Sequence, residues 1–114
     1  NPLEVWGDGR DIKDFIYVED LVDGLLLAME KINAFDPINI GGGKPISIQQ
    51  ALKAMLKVVD VRHPKIIFNR SKPSMIPVRL NNVSKAKKIL GFFPKTSLED
   101  GIQKTIQWYK MTKV

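Results

Sequence analysis

Trp6 to Leu21 reads Trp-Gly-Asp-Gly-Arg-Asp-Ile-Lys-Asp-Phe-Ile-Tyr-Val-Glu-Asp-Leu: an aromatic residue, a glycine turn, a basic residue, a short apolar strand and an acidic helix start. The glycine content of Gly7-Asp8-Gly9-Arg10 predicts a turn, and Phe15 to Val18 predicts a short strand. Just upstream, Pro2 to Trp6 reads as a first extended piece. Downstream, Leu21, Val22, Leu25, Leu26 and Met29 recur at helical spacing between Asp20 and Glu30, with acidic residues at the start that suit the helix dipole. Strand, turn, strand and helix in this order give an α/β reading.

The remainder continues the alternation. Ile38-Asn39-Ile40 predicts a strand that stops at Gly41-Gly42-Gly43. Ser47 with Gln50 forms a capping-box pattern, and Ile48, Leu52, Met55, Leu56 and Val59 carry a helical stripe to about Asp60. Lys65 to Asn69 predicts a strand buried through Ile66, Ile67 and Phe68. The polar, proline-punctuated stretch from Arg70 to Pro77 predicts a loop. Val78 to Leu80 follows as a short strand, and a helix from Ser84 ends at Gly91, a residue suited to a left-handed cap. Ser97-Leu98-Glu99-Asp100 opens a last helix whose stripe, Leu98, Ile102, Ile106, Trp108 and Tyr109, is expected to pack on the body. No repeat or linker divides the chain.

Composition narrows the function. The 114 residues are 44% hydrophobic and 26% charged, an ordinary globular balance. There is no cysteine and a single histidine, so thiolate and His-rich metal sites are excluded and no metal is expected. No apolar run approaches the roughly 20 residues that cross a bilayer, and the N-terminus lacks signal-peptide regions, so a cytoplasmic protein without membrane partners is expected. The net charge of +6 fits either nucleic acid or a smaller polyanion such as a nucleotide diphosphate. Lysines 85, 87, 88, 95, 104, 110 and 113 lie on or beside the two C-terminal helices, where a solvated face is the simpler reading. No aromatic-studded strand or helix-turn-helix pattern accompanies them, so nucleic acid is not the expected partner.

Among candidate chemical groups, Gly41-Gly42-Gly43 lacks dinucleotide-loop spacing and has Pro45 close behind, which favours a structural turn over a phosphate cradle. His63 has no neighbouring Ser or carboxylate cluster. Tyr17 has Leu21 where a Tyr-x-x-x-Lys pair needs its lysine. Lys13, Lys72 and Arg79 flank strand ends and a loop, an arrangement able to clamp a pyrophosphate.

The motifs then form a series. Lys13-Asp14-Phe15-Ile16-Tyr17-Val18-Glu19-Asp20-Leu21 is followed by Asn39-Ile40-Gly41-Gly42-Gly43, Ser71-Lys72-Pro73, Asn82-Val83-Ser84-Lys85-Ala86 and Leu90-Gly91-Phe92-Phe93-Pro94. In this order, over essentially the whole chain, the series resembles the NAD(P)-dependent nucleotide-sugar epimerases and dehydratases of the extended short-chain dehydrogenase/reductase family. The Trp6 turn and the Ser-Lys-Pro loop are most similar to members that epimerise and reduce a GDP-linked keto sugar with NADPH. UDP-hexose epimerases are close.

The resemblance implies an incomplete α/β unit, the C-terminal substrate-binding part of such an enzyme, lacking most of the Rossmann domain. Residues 1–43 would include elements that pack on the missing N-terminal Rossmann portion, and residues 44–114 would form the substrate-binding subdomain. Trp6 would line the substrate pocket, Lys13 and Lys72 would hold the diphosphate, Ser74 would lie beside the base or ribose, and Arg79 would be a further cation. The partner implied is a nucleotide-diphosphate sugar, and the cofactor of a full-length parent is NADP or NAD. With neither a Gly-rich dinucleotide loop nor a Tyr-x-x-x-Lys pair, the chain alone is expected to bind no cofactor, carry no catalytic residue and be inactive. Leu25, Leu26 and Ile40 are expected to expose apolar surface, which favours a homo-oligomer. Lys13 replaces a usual arginine, and Ser74 and Asn82 stand where aspartates are common, which leaves the substrate open. A non-catalytic anion-binding module of the same fold is the alternative.

Overall fold

The computed structural model describes residues 1–74 and 76–113, so within the loop from Arg70 to Pro77 the residue Met75 lies outside the described residues. Two small sheets organise the mixed α/β chain. Strand β1 (Leu3–Trp6) runs parallel to β4 (Ile66–Asn69), with Leu3 opposite Ile66 and Trp6 opposite Asn69. In the second sheet, β2 (Ile12–Lys13) lies between β3 (Ile46–Ser47), antiparallel to it, and β5 (Val78–Arg79), parallel to it. The turn between β1 and β2 uses left-handed backbone at Gly7 (φ 82°) and Gly9 (φ 73°), conformations that favour glycine.

Among the described residues three α-helices complete the architecture: α1 (Val18–Lys31), α2 (Ile48–Val58) and α3 (Leu98–Thr112). The predicted capping box at α2 is present, with the Gln50 amide donating to Ser47 Oγ at 3.1 Å and the Ser47 amide to Gln50 Oε1 at 2.7 Å. The helix from Ser84 widens into a π-helical turn, Ala86–Leu90, capped by Gly91 at φ 64°. Ala86, Leu90 and Phe92 form the buried centre, packed on by Ile16, Leu27, Ala28, Ile32, Ile38 and Ile40.

Several expectations from sequence need correction. The second strand is Ile12–Lys13 rather than Phe15–Val18, because only Ile12 and Lys13 find ladder partners on both sides; Val18 already begins α1. Ile38-Asn39-Ile40 is not a strand among the described residues. Its isoleucines instead press on the Leu90–Phe92 centre, and Gly24 lets Ile40 approach α1: a Cβ there would lie 2.7 Å from Ile40 Cγ2. Strand β4 is less buried than its apolar run suggests, with Ile67 45% and Phe68 37% exposed, since it has one neighbouring strand. Trp108 and Tyr109 are exposed rather than packed, while Ile102 and Ile106 are half-buried. Leu25 and Leu26 are exposed as expected, and Ile40 is half-buried.

Two carboxylates join segments distant in sequence. Asp20, 4% exposed, accepts from the Thr96 amide at 2.9 Å and so fixes the start of α1 to the approach to α3. Asp14 accepts from the amides of Gly42 at 2.7 Å, Gly43 at 3.1 Å and Asn81 at 3.2 Å. The triple glycine is therefore a structural turn wrapped on an internal anion. Only glycine fits at position 42, where a Cβ would meet the Phe15 carbonyl oxygen at 2.0 Å. Replacing Asp14 by alanine strands these amides and is expected to cost about 3 kcal/mol, seen as a lower urea midpoint. Asp14→Asn, which keeps one acceptor oxygen, is expected to lose less. An unchanged midpoint for Asp14→Ala would show that the clamp contributes nothing to stability.

Candidate functional site

The five residues expected to bind substrate come from four places in the chain, and the fold brings them to one rim. Trp6 ends β1, Lys13 ends β2, Lys72 and Ser74 sit in the loop after β4, and Arg79 ends β5. The rim thus lies at the carboxyl ends of the parallel strands, where open α/β sheets generally place ligands. Pairing sets Lys13 directly opposite Arg79, so their side chains leave the same side of the sheet.

The loop after β4 is fastened to this rim by several contacts. The Ile12 amide donates to the Pro77 carbonyl at 2.8 Å, and the Lys72 amide to the Asn69 carbonyl at 3.2 Å. Lys13 Nζ donates to the Ile76 carbonyl at 2.5 Å. Lys72 Nζ stands 5.5 Å from the centroid of the exposed Trp6 ring, within cation–π range. Gly7 lies flush against Ser74, since a Cβ at Gly7 would be 3.2 Å from Ser74 Cβ. The result is an open, cationic rim with an aromatic face beside it, able to attract an anion and stack a planar or apolar group.

One member of the rim carries no signal in the sequence pattern. Asp11 accepts from Ser74 Oγ at 3.2 Å and stands 3.9 Å from Lys13 Nζ, so a carboxylate sits among the cations. Its position beside Lys13 in the chain was visible, but its contact with Ser74 needs the loop to fold back. Likewise Gln49, which donates from Nε2 to the Asp8 carbonyl at 3.0 Å, secures the glycine turn from α2.

Other candidates fall away from the rim. Tyr17 lies against Gly101 and beneath the Lys104 ammonium, 5.1 Å from its ring, which is a packing role. His63 is exposed in a shallow groove at the opposite, amino ends of β1 and β4, with Leu3, Leu56 and Lys65. No cluster of three or more potential metal-ligating side chains occurs among the described residues. Two lysines of the basic C-terminal surface pair with distant carboxylates, Lys85 with Asp36 and Lys104 with Glu19 at 3.8 Å, and Lys57 of α2 pairs with Glu99 at 3.0 Å. No helix among the described residues is long and apolar enough to cross a membrane.

Comparison with known proteins bears on this geometry. Residues 1–41 match the NAD dependent epimerase/dehydratase family. UDP-glucuronate 4-epimerase of Thermodesulfobacterium geofontis is 33% identical over 96% of this chain and 33% of its own length. GDP-L-fucose synthase of Sinorhizobium fredii is 36% identical over 92% of this chain and 33% of its own length. Among solved structures, the UDP-glucuronic acid 4-epimerase of Bacillus cereus, in complex with a fluorinated UDP-glucuronic acid and NAD, aligns with TM-score 0.84 and 29% identity over 97% of this chain and 36% of that one. The chain therefore spans about a third of the length of the relatives it matches.

The two lysines of the rim differ in accessibility. Lys13 has its ammonium on the Ile76 carbonyl and a side chain only 26% exposed, whereas Lys72 is exposed. Under limiting amine-reactive reagent, Lys72 is expected to be modified several-fold faster than Lys13, as read by peptide mass spectrometry. Equal rates would show that the Lys13 contact does not hold in solution.

Proposed function

We propose that this chain, which is similar over nearly its whole length to about a third of enzymes of the NAD dependent epimerase/dehydratase kind, supplies the part of such an enzyme that holds the diphosphate of a nucleotide sugar. The placement of Lys13 opposite Arg79 at the strand ends, with Lys72 beside Trp6 in the loop that Lys13 holds at Ile76, is the observation that supports this most directly. Lys13 and Lys72 bind the diphosphate, Arg79 adds a third cation, Trp6 lines the pocket for the sugar or base, and Ser74 offers a hydroxyl beside the base or ribose. A lysine at position 13 gives a point charge where an arginine would give a fork, so it attracts a diphosphate while orienting it less strictly. GDP-L-fucose synthase is the relative whose reaction this reading favours, with a UDP-hexose 4-epimerase reaction next.

Hydride transfer falls outside these residues. The one glycine run that leads toward a helix has the amides of Gly42 and Gly43 filled by Asp14, so it does not fit a dinucleotide pyrophosphate. NADP or NAD would be held by the further two thirds of an enzyme of the relatives' length, together with the proton-transfer pair, and the chain alone would be inactive. A cytoplasmic setting belongs to the same reading.

In an assembled site each charge-assisted contact would contribute about 1.5 to 3 kcal/mol, and much less at an open, salt-screened rim. Weak binding is therefore the expectation for this chain. GDP or UDP, but not the uncharged nucleoside, is expected to shift amide resonances near Trp6, Lys13 and Lys72. Lys13→Ala combined with Lys72→Ala should abolish those shifts. A double variant that binds the nucleotide as well as the parent would remove the site.

The exposed stripe on α1, Val18, Val22, Leu25, Leu26 and Met29, would be covered either by the Rossmann portion or by a second copy of the chain. Light scattering over a concentration series is expected to show association of the isolated chain, reduced by Leu25→Ser with Leu26→Ser. A concentration-independent monomer would mean that the stripe tolerates water unaided.

A further inference from the structure

Asp11 is an anion held inside a rim of cations, and it has little freedom to leave. Its carbonyl accepts from the Ile48 amide at the start of α2 at 3.0 Å, and the next residue, Ile12, donates to Pro77. Its side chain is 19% exposed, takes the Ser74 hydroxyl on Oδ1 at 3.2 Å and has Lys13 Nζ 3.9 Å from Oδ2. Strand, helix start and loop thus fix the carboxylate from three sides.

A fixed charge of this kind acts on any anion that binds the neighbouring cations, and its repulsion grows in proportion to the ligand's charge. The esterified diphosphate of a nucleotide sugar lacks the terminal ionisation that a free nucleoside diphosphate keeps, and a triphosphate carries still more. We propose that Asp11 is a specificity-determining residue that biases the Lys13–Lys72 rim toward the esterified diphosphate and against nucleotides of higher charge. This rests on the diphosphate-binding reading of the rim. Like-charge placement against the wrong ligand is a common source of discrimination.

The test compares a nucleotide sugar, the matching nucleoside diphosphate and the triphosphate on the parent chain and on Asp11→Asn, which keeps an acceptor for Ser74 while removing the charge. A partly exposed charge pair corresponds to a change of up to about fivefold in affinity. Asp11→Asn is therefore expected to tighten the triphosphate most, by up to about fivefold, the diphosphate less, and the nucleotide sugar least. Ser74→Ala, which breaks the hydrogen bond but leaves the charge, is expected to change the affinity of the three ligands by one common factor, since they share base and ribose, and so to keep the parent's affinity ratios. Should Asp11→Asn fold poorly, Asp11→Ser is measured in its place with the same expectation. A uniform loss of affinity would reduce Asp11 to a clasp for the loop and overturn the proposal, as would an equal change in affinity for all three ligands. If neither parent nor variant binds any of the three ligands, the diphosphate site itself fails and Asp11's role with it.

Discussion

The carboxylate of Asp14 holds the fold together at its weakest point. Sheets built from strands as short as Ile12–Lys13 and Val78–Arg79 have few ladder bonds of their own. Asp14 adds charge-assisted bonds from one residue beyond β2 to the Gly42–Gly43 turn and to Asn81, just past β5. Such bonds are about twice as strong as neutral ones. The same residue thereby determines where Lys13 and Arg79 sit, since each lies within two residues of an Asp14 contact.

An internal anion on the glycine turn also decides what the chain does not do. Amides of a glycine run before a helix are a common phosphate site, and here those of Gly42 and Gly43 are already satisfied. In the proposed reading, anion binding would fall to the side-chain cations Lys13, Lys72 and Arg79 beyond the carboxyl ends of β2, β4 and β5. Asp11 places a carboxylate of the opposite sign 3.9 Å from Lys13 Nζ. An anion bound at the proposed site would meet attraction from the cations and repulsion from this carboxylate together.

Much of this was legible in the sequence where the determinant is local. The Ser47–Gln50 capping box, the stripe of α1 and the left-handed cap at Gly91 depend on neighbours a turn away, and all occur at or within two residues of their predicted places. The two-residue strands have too few positions for an alternation to show, so β2 was displaced to the apolar Phe15–Val18. Ile38-Asn39-Ile40 has strand-like residues but no partner among the described residues, and burial against Phe92 prevails over propensity. The five rim residues were readable only as a family pattern in chain order. Asp11 and Asp14 were not, because a carboxylate does not announce which distant hydroxyl or amide it will meet.

The parallel pairing of Leu3 with Ile66 and of Trp6 with Asn69 has a consequence for how the molecule forms. A parallel pair cannot be closed by a tight turn, and here both α1 and α2 intervene between its strands. The entropy of closing so long a loop must be met before the pairing returns any energy, which slows folding relative to chains with local contacts. On this argument Trp6 and the loop bearing Lys72 are expected to meet after the helices between them have formed. The aromatic and cationic halves of the rim do not exist as neighbours in any partly folded chain that has yet to join β1 to β4.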